Sequence, residues 1–212
     1  FPLPVSSNTS GEQLLIRVEL AGINFFDIYQ RRGERPMNFP GILGVEGIGT
    51  ILESSVPLQN FKVGDRVGWA GGSKSYAEFL TLNEDQLIPL PASISSEKLL
   101  PLILQGLTAH FLATSSHVAS SKTTALVTAA SGGVGSVLIQ LLKRNGARVI
   151  PVTSSHEKVE RLKKLDFEHA CTYAEMQERV SDLTKGSGVN VVYDSVGKET
   201  FNQTIELVGR RG

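Results

Sequence analysis

Apolar and polar positions keep one rhythm up to about residue 100 and another after it. In the first stretch, short apolar runs alternate with turn residues. Leu14-Leu15-Ile16-Arg17-Val18-Glu19-Leu20 ends in strict alternation, which sets Ile16, Val18 and Leu20 on one face of a strand. Gly47-Ile48-Gly49-Thr50-Ile51-Leu52, the run from Phe61 to Trp69, and Tyr76-Ala77-Glu78-Phe79-Leu80 predict further strands. Gly64-Asp65 supplies a turn into the strand around Val67. Short strands divided by Gly, Pro, Asn and Asp predict a small twisted all-β barrel or sandwich over residues 1–100. Pro89, Pro91 and Ala92-Ser93-Ile94-Ser95-Ser96 mark its exit.

From there the pattern becomes α/β. Ser96-Glu97-Lys98 opens a helical stretch, and the mainly apolar run Thr124 to Ala129 reads as a strand covered on both faces. Next, Val134, Val137, Leu138, Leu141 and Leu142 form one helical stripe that ends at Asn145-Gly146, a good C-cap pair. Strands are predicted at Arg148–Val152, near Ala170-Cys171 and at Val189–Tyr193; helices at Ser155–Lys164, Ala174–Leu183 and Lys198–Leu207. This alternation predicts βαβ units and a parallel, doubly wound sheet over residues 101–212.

Composition narrows the function classes. Lys+Arg and Asp+Glu both number 21, so the chain is neutral and has no overall pull toward nucleic acid, which is not expected as a partner. A single cysteine, Cys171, excludes an intrachain disulfide framework and a Cys-rich zinc lobe. With His169 it reads as a core cysteine beside a surface histidine rather than a metal pair. No apolar run suggests a membrane span of about 20 residues. The start, Phe1-Pro2-Leu3-Pro4, has no charged n-region and reads as a chain entered midway.

The central chemical signal is Ala129-Ala130-Ser131-Gly132-Gly133-Val134-Gly135, set between a strand and a helix. In such a turn one glycine lets backbone N–H groups approach a pyrophosphate, and another lets the helix pack against the strand. Gly132 and Gly135 take these roles, Gly133 and Val134 lie between them, and Ala130 stands where the usual fingerprint has its first glycine. The reading is dinucleotide binding. Units that bind NAD carry an acid at the end of the second strand to bond the ribose 2′-OH. Here Pro151-Val152-Thr153-Ser154-Ser155-His156-Glu157-Lys158 has no acid before Glu157. Ser154, Ser155 and Lys158 suit a 2′-phosphate, hence NADPH. Ser154 and Glu157 also have capping-box spacing, which leaves Lys158 free.

Several motifs in order resemble the quinone oxidoreductase (zeta-crystallin-like) branch of the medium-chain dehydrogenase/reductase superfamily. They are Ala21-Gly22-Ile23-Asn24-Phe25-Phe26-Asp27-Ile28-Tyr29 with Arg31 and Gly33, Pro40 to Gly49, and Gly64-Asp65-Arg66-Val67. Gln105-Gly106-Leu107-Thr108-Ala109, the glycine turn, Tyr193-Asp194-Ser195-Val196-Gly197 and Gly209-Arg210-Arg211-Gly212 complete the set. The resemblance implies a GroES-like β-barrel followed by a Rossmann domain, with NADPH in the cleft between them and the chain truncated at both ends. It implies a small-molecule quinone as substrate and a cytoplasmic homodimer for the full-length protein.

The resemblance also assigns residues. Asn24 and Tyr29 match positions near nicotinamide and substrate, Tyr29 as a donor to a quinone oxygen, while a second tyrosine of the family stands here as Arg35. Thr108 matches a residue that holds the nicotinamide amide, Tyr173 an aromatic near the adenosine phosphate, and Ser195 and Gly197 the switch point of the sheet. Zinc-dependent relatives carry Cys and His where this chain has Asn24 and Val45, so no metal is expected; Glu46 beside them reads as a buried polar residue. Two other readings stay open: an NADPH-dependent enoyl reductase of the same superfamily, and a non-catalytic crystallin-like NADPH-binding protein.

Overall fold

The computed structural model describes residues 14–71 and 74–210, so Phe1–Pro4 and the closing Arg211-Gly212 lie outside the described residues. The chain divides into two units, 1–104 and 105–212.

The first unit runs β1 (Leu14–Ala21), α1 (Phe25–Arg31), β2 (Glu46–Ser54), β3 (Arg66–Ala70), β4 (Phe79–Leu82), β5 (Leu87–Pro89) and the short α2 (Ser96–Leu99). Its five strands form one antiparallel sheet in the order β4-β1-β2-β3-β5. Irregularities in the β1–β2 register fall between Leu15 and Ile16 and between Val18 and Leu20. Thus the alternating face read from the sequence buries Ile16 fully and leaves Val18 and Leu20 half-buried. Leu14, Ile16, Ile51, Val67, Trp69, Leu80, Leu82 and Leu87 close one core. Ile48 packs with Leu99 and Ile103 on the other face. The predicted strand from Phe61 begins only at Arg66, because Lys62 to Asp65 form a turn in which Lys62 N–H donates to Asp65 Oδ2.

The second unit contains α3 (Leu104–Phe111, begun by the last residue of the first unit), β6 (Thr124–Val127), α4 (Gly133–Arg144) and β7 (Arg148–Thr153). It continues through α5 (His156–Lys163), β8 (Cys171–Thr172), α6 (Met176–Thr184), β9 (Val191–Tyr193) and α7 (Phe201–Glu206). The strands are all parallel, in the order β8-β7-β6-β9. Successive side chains of a strand point to opposite faces. Ala125 and Val127 of β6 accordingly join Leu138, Ile139 and Leu142 of α4, whereas Leu126 joins Ile150, Val152, Cys171, Met176 and Val180. Asn145 and Gly146 end α4 as predicted, Gly146 with φ +86°. Cys171 is wholly buried, and burial pushes its thiol up to about 11.

Candidate functional site

In the second unit, β6 delivers the chain into a sharp turn. Ala129 adopts φ +45°, the left-handed region that residues with a Cβ seldom occupy. Its N–H donates to the Tyr173 hydroxyl at 2.9 Å, so a side chain 44 residues away holds the strained step. Ala130 does not act as the sequence reading expected. It is fully buried and its N–H is spent on the Val152 carbonyl at 2.9 Å, so it anchors the turn to β7 and offers no donor outward. A second tie, between the hydroxyls of Ser131 and Thr153 at 2.8 Å, fixes the same two strand ends.

Gly132 is the N-cap of α4 in extended backbone and is exposed, as is Gly133. The first N–H groups of a helix have no acceptor within it, so those of Gly133, Val134 and Gly135 are presented at this end with the positive pole of the dipole. Val134 is half-buried against the core. Gly135 is buried because a Cβ there would press on the Ala129 carbonyl oxygen and stand 2.8 Å from Ala130 Cα. At Gly133 a Cβ would instead meet the side-chain amide of Gln105, which the sequence reading had not selected. Thr108, one turn further along α3, has an exposed side chain.

Beside this turn, β7 gives way to Ser154, and Lys158 follows in the first turn of α5. Both are exposed, and Lys158 Nζ donates to Ser154 Oγ at 3.2 Å. The cap of α5 is Ser155, whose hydroxyl accepts from Lys158 N–H, and not Ser154. The helix starts one residue later than the capping-box spacing suggested, which leaves the Ser154 hydroxyl outside the cap.

On the other side of β6, the chain leaves β9 through Asp194, a residue that the reading quoted within a motif but gave no role. Its carboxylate accepts from Thr128 Oγ1 at 3.0 Å, Val196 N–H at 2.9 Å, Gly197 N–H at 3.1 Å, Thr200 Oγ1 at 2.7 Å and Thr204 Oγ1 at 3.0 Å. Burial alone would raise its pKa, but these donors outweigh it and hold the carboxyl below its ordinary value. Ser195 is exposed with its N–H on Thr128 Oγ1 at 3.1 Å, and Gly197 takes φ +83°. The structure therefore gathers the glycine turn, Tyr173, Ser154 with Lys158, and Ser195 with Gly197 at the carboxyl ends of the four adjacent parallel strands β8-β7-β6-β9.

The first unit holds the other two candidates. Asn24 caps α1: its backbone N–H donates to Asp27 Oδ2 and its side-chain Nδ2 to Glu46 Oε1, both at 2.9 Å. A cavity of about 480 Å³ lies here, lined by Ala21, Ile23, Asn24, Ile28, Arg31 and Tyr76 among others. Tyr29 is not in that lining; it sits one turn on, 37% exposed, its ring 6.3 Å from that of Phe25. Asp27 is buried and accepts from Gly44 N–H and the Tyr76 hydroxyl as well as from Asn24. Burial and the neighbouring Asp27 push the Tyr76 phenol up to about 12, so it stays protonated.

Catalytic zinc needs three ligands, and the donors here do not fit one. Val45 is buried and has no ligating atom, and the Asn24 amide nitrogen is engaged by Glu46. Among the described residues no three His, Cys, Asp or Glu side chains lie together. Nor is any single described helix long and apolar enough to cross a membrane.

Residues 10–92 match the model of the alcohol dehydrogenase GroES-like domain, and residues 133–212 that of the zinc-binding dehydrogenase family. The chain is similar to a quinone oxidoreductase of Pseudomonas aeruginosa, 35% identical over an alignment of 208 residues, with 94% of this chain and 63% of that protein covered. The solved quinone oxidoreductase of Escherichia coli complexed with NADPH is similar at TM-score 0.89 and 32% identity, over 94% of this chain and 63% of that one. A mycobacterial protein complexed with NADPH reaches TM-score 0.91 at 35% identity, over 100% of this chain and 66% of that one. The chain thus spans less than two thirds of the length of the curated relatives it matches.

Proposed function

We propose, on the premise that the chain belongs to the medium-chain dehydrogenase/reductase superfamily and within it to the quinone oxidoreductase branch, that the full protein passes reducing equivalents from NADPH to a quinone without a metal ion. The observation that carries this reading is the turn after β6. It is braced by Tyr173 and Thr153 and opens the amino end of α4 at two exposed glycines. The N–H groups of Gly133, Val134 and Gly135 suit a pyrophosphate, whereas Gly132, whose own N–H donates to the Ala129 carbonyl at 2.8 Å, contributes the open space in front of them. Lys158 and Ser154, already paired, suit a phosphate on the neighbouring ribose, and no carboxylate precedes Glu157 to favour a 2′-hydroxyl. Tyr173 lies beside the adenosine phosphate; Ser195, Gly197 and Thr108 serve the nicotinamide half.

When bound, NADPH supplies the hydride or electrons, and the chain supplies orientation and exclusion of water. Tyr29 donates a hydrogen bond to the quinone oxygen where negative charge develops, and Asn24 presents its amide beside it. A quinone accepts reducing equivalents without a Lewis acid, which matches a donor set that does not fit zinc. The same resemblance makes the full-length protein a cytoplasmic homodimer; sedimentation of the full chain tests the pairing.

The test is NADPH consumption by the full-length protein with a benzoquinone and, separately, with a 2-enoyl thioester. Quinone-dependent oxidation supports the proposal, and oxidation with the thioester alone assigns an enoyl reductase instead. A fluorescence response to NADPH with neither acceptor reduced assigns a non-catalytic NADPH-binding protein, and no response at millimolar NADPH overturns the cofactor reading itself.

A further inference from the structure

Glu46 opens β2 and is 1% exposed, yet no ion pair reaches it among the described residues. A carboxylate that deep is retained only where hydrogen bonds answer it. Two neutral donors do so: Leu104 N–H reaches Oε2 and Asn24 Nδ2 reaches Oε1, each at 2.9 Å. Gly22 leaves the space, since a Cβ on it would stand within 2.5 Å of the Glu46 Cγ and Cδ atoms. Backbone and glycine therefore fix this carboxylate from one side, and its remaining oxygen faces a single side-chain amide.

That arrangement decides which way the amide lies. A carboxylate accepts and does not donate, so turning Asn24 over would set Oδ1 against Oε1, two acceptors in contact. The nitrogen is held inward and Oδ1 lies on the opposite edge, and Asn24 is also part of the cavity lining. A hydrogen bond to a charged acceptor also moves electron density toward the amide oxygen, which makes it the stronger acceptor.

We infer that Glu46 is a positioning residue: it locks the Asn24 amide so that Oδ1 is offered to a hydrogen-bearing group, the hydroxyl of a quinol. This rests on the reading of Asn24 as a site residue under the proposed function.

The experiment is a double-mutant cycle in the full-length protein, read by kcat with a benzoquinone, NADPH affinity, and the Asn24 side-chain amide protons in a nitrogen-edited spectrum. In Glu46→Gln the side chain keeps one acceptor for Leu104 and turns its new NH₂ toward Asn24, which flips. The expected result is a fall in kcat of about tenfold, with NADPH affinity held within about twofold. Asn24→Asp lowers kcat on its own but raises it in the Glu46→Gln background, where the new carboxylate accepts from the amide introduced opposite it. Unchanged kcat in Glu46→Gln, or a double variant no better than Glu46→Gln, overturns the inference, because a merely structural role shows no such rescue. If Glu46→Gln does not fold, Gly22→Ala displaces the same carboxylate without changing its charge and is read the same way. If the parent protein oxidises no NADPH with quinone, the proposed function fails separately. The spectrum then still decides: a downfield, exchange-protected Asn24 amide proton lost in either variant supports the lock, and its absence from the parent overturns it.

Discussion

Adding one methyl group at each of two glycines three residues apart should separate packing from recognition. In Gly135→Ala the new Cβ faces backbone only: it presses on the Ala129 carbonyl oxygen and comes 2.8 Å from Ala130 Cα, against 3.4 Å for ordinary contact. Neither neighbour can swing aside, since Ala130 is pinned to Val152 and Ala129 to Tyr173. Overpacking of this kind costs about 1–3 kcal/mol, and the turn must deform to accept it. Gly132→Ala is different. Its φ of −80° suits alanine, and its Cβ would meet only the Ala129 carbonyl oxygen at 3.1 Å, so the fold should hold. The methyl group would instead occupy the approach to the helix end. Losing one charge-assisted contact there, worth about 1.5–3 kcal/mol, weakens NADPH about ten- to a hundredfold. Thermal melting and fluorescence titration of the full-length protein check both arms. Gly135→Ala should lose Tm and affinity together, Gly132→Ala affinity alone. NADPH binding by Gly132→Ala as tight as the parent's would refute the assignment of this turn to the pyrophosphate.

Lys158→Ala should weaken NADPH much more than NADH, because the removed cation faces only the extra phosphate; equal losses in paired titrations would count against that role. Tyr173→Phe deletes the acceptor of Ala129 N–H. Leaving that donor unmet costs about 1–3 kcal/mol and should appear as a lower Tm with weaker NADPH. For Asp194, whose carboxyl is held below its ordinary value, the stabilising contribution is complete above the unfolded pKa of about 3.9 and is lost as pH falls through the lower folded value. Asp194→Asn should therefore be less stable at neutral pH and show a flatter acid limb in Tm against pH. Parallel curves for the two proteins would show that the carboxylate's hydrogen bonds are not the source.

Where an element buries a stripe, the sequence reveals it; where it buries a polar group, the sequence is silent. Helix α4 was legible because Leu138 and Leu142 repeat on a face that packs against β6 and β7. By contrast α1 buries no apolar stripe, although Phe25, Ile28 and Tyr29 share a face. Its phenylalanines are exposed and its one buried side chain is Asp27, so burial does not follow the periodicity. The glycine turn could be read because close approach demands glycine locally. Asp194 could not, because its donor Thr128 comes within reach only after β6 and β9 pair. Two threonines four apart on one helix, following an aspartate at a strand end, were the only trace. Ala130 was misread for a related reason: the left-handed step falls on Ala129, which leaves its neighbour facing inward.

The lone thiol has a use that comes from where it sits. Cys171 is sealed between β7 and α6, and its high pKa keeps it in the unreactive protonated form. An alkylating reagent can therefore label it only during moments when that layer comes apart. With one thiol among these 212 residues, the labelling rate becomes an intrinsic clock for opening of the second unit, readable by mass without introducing any probe.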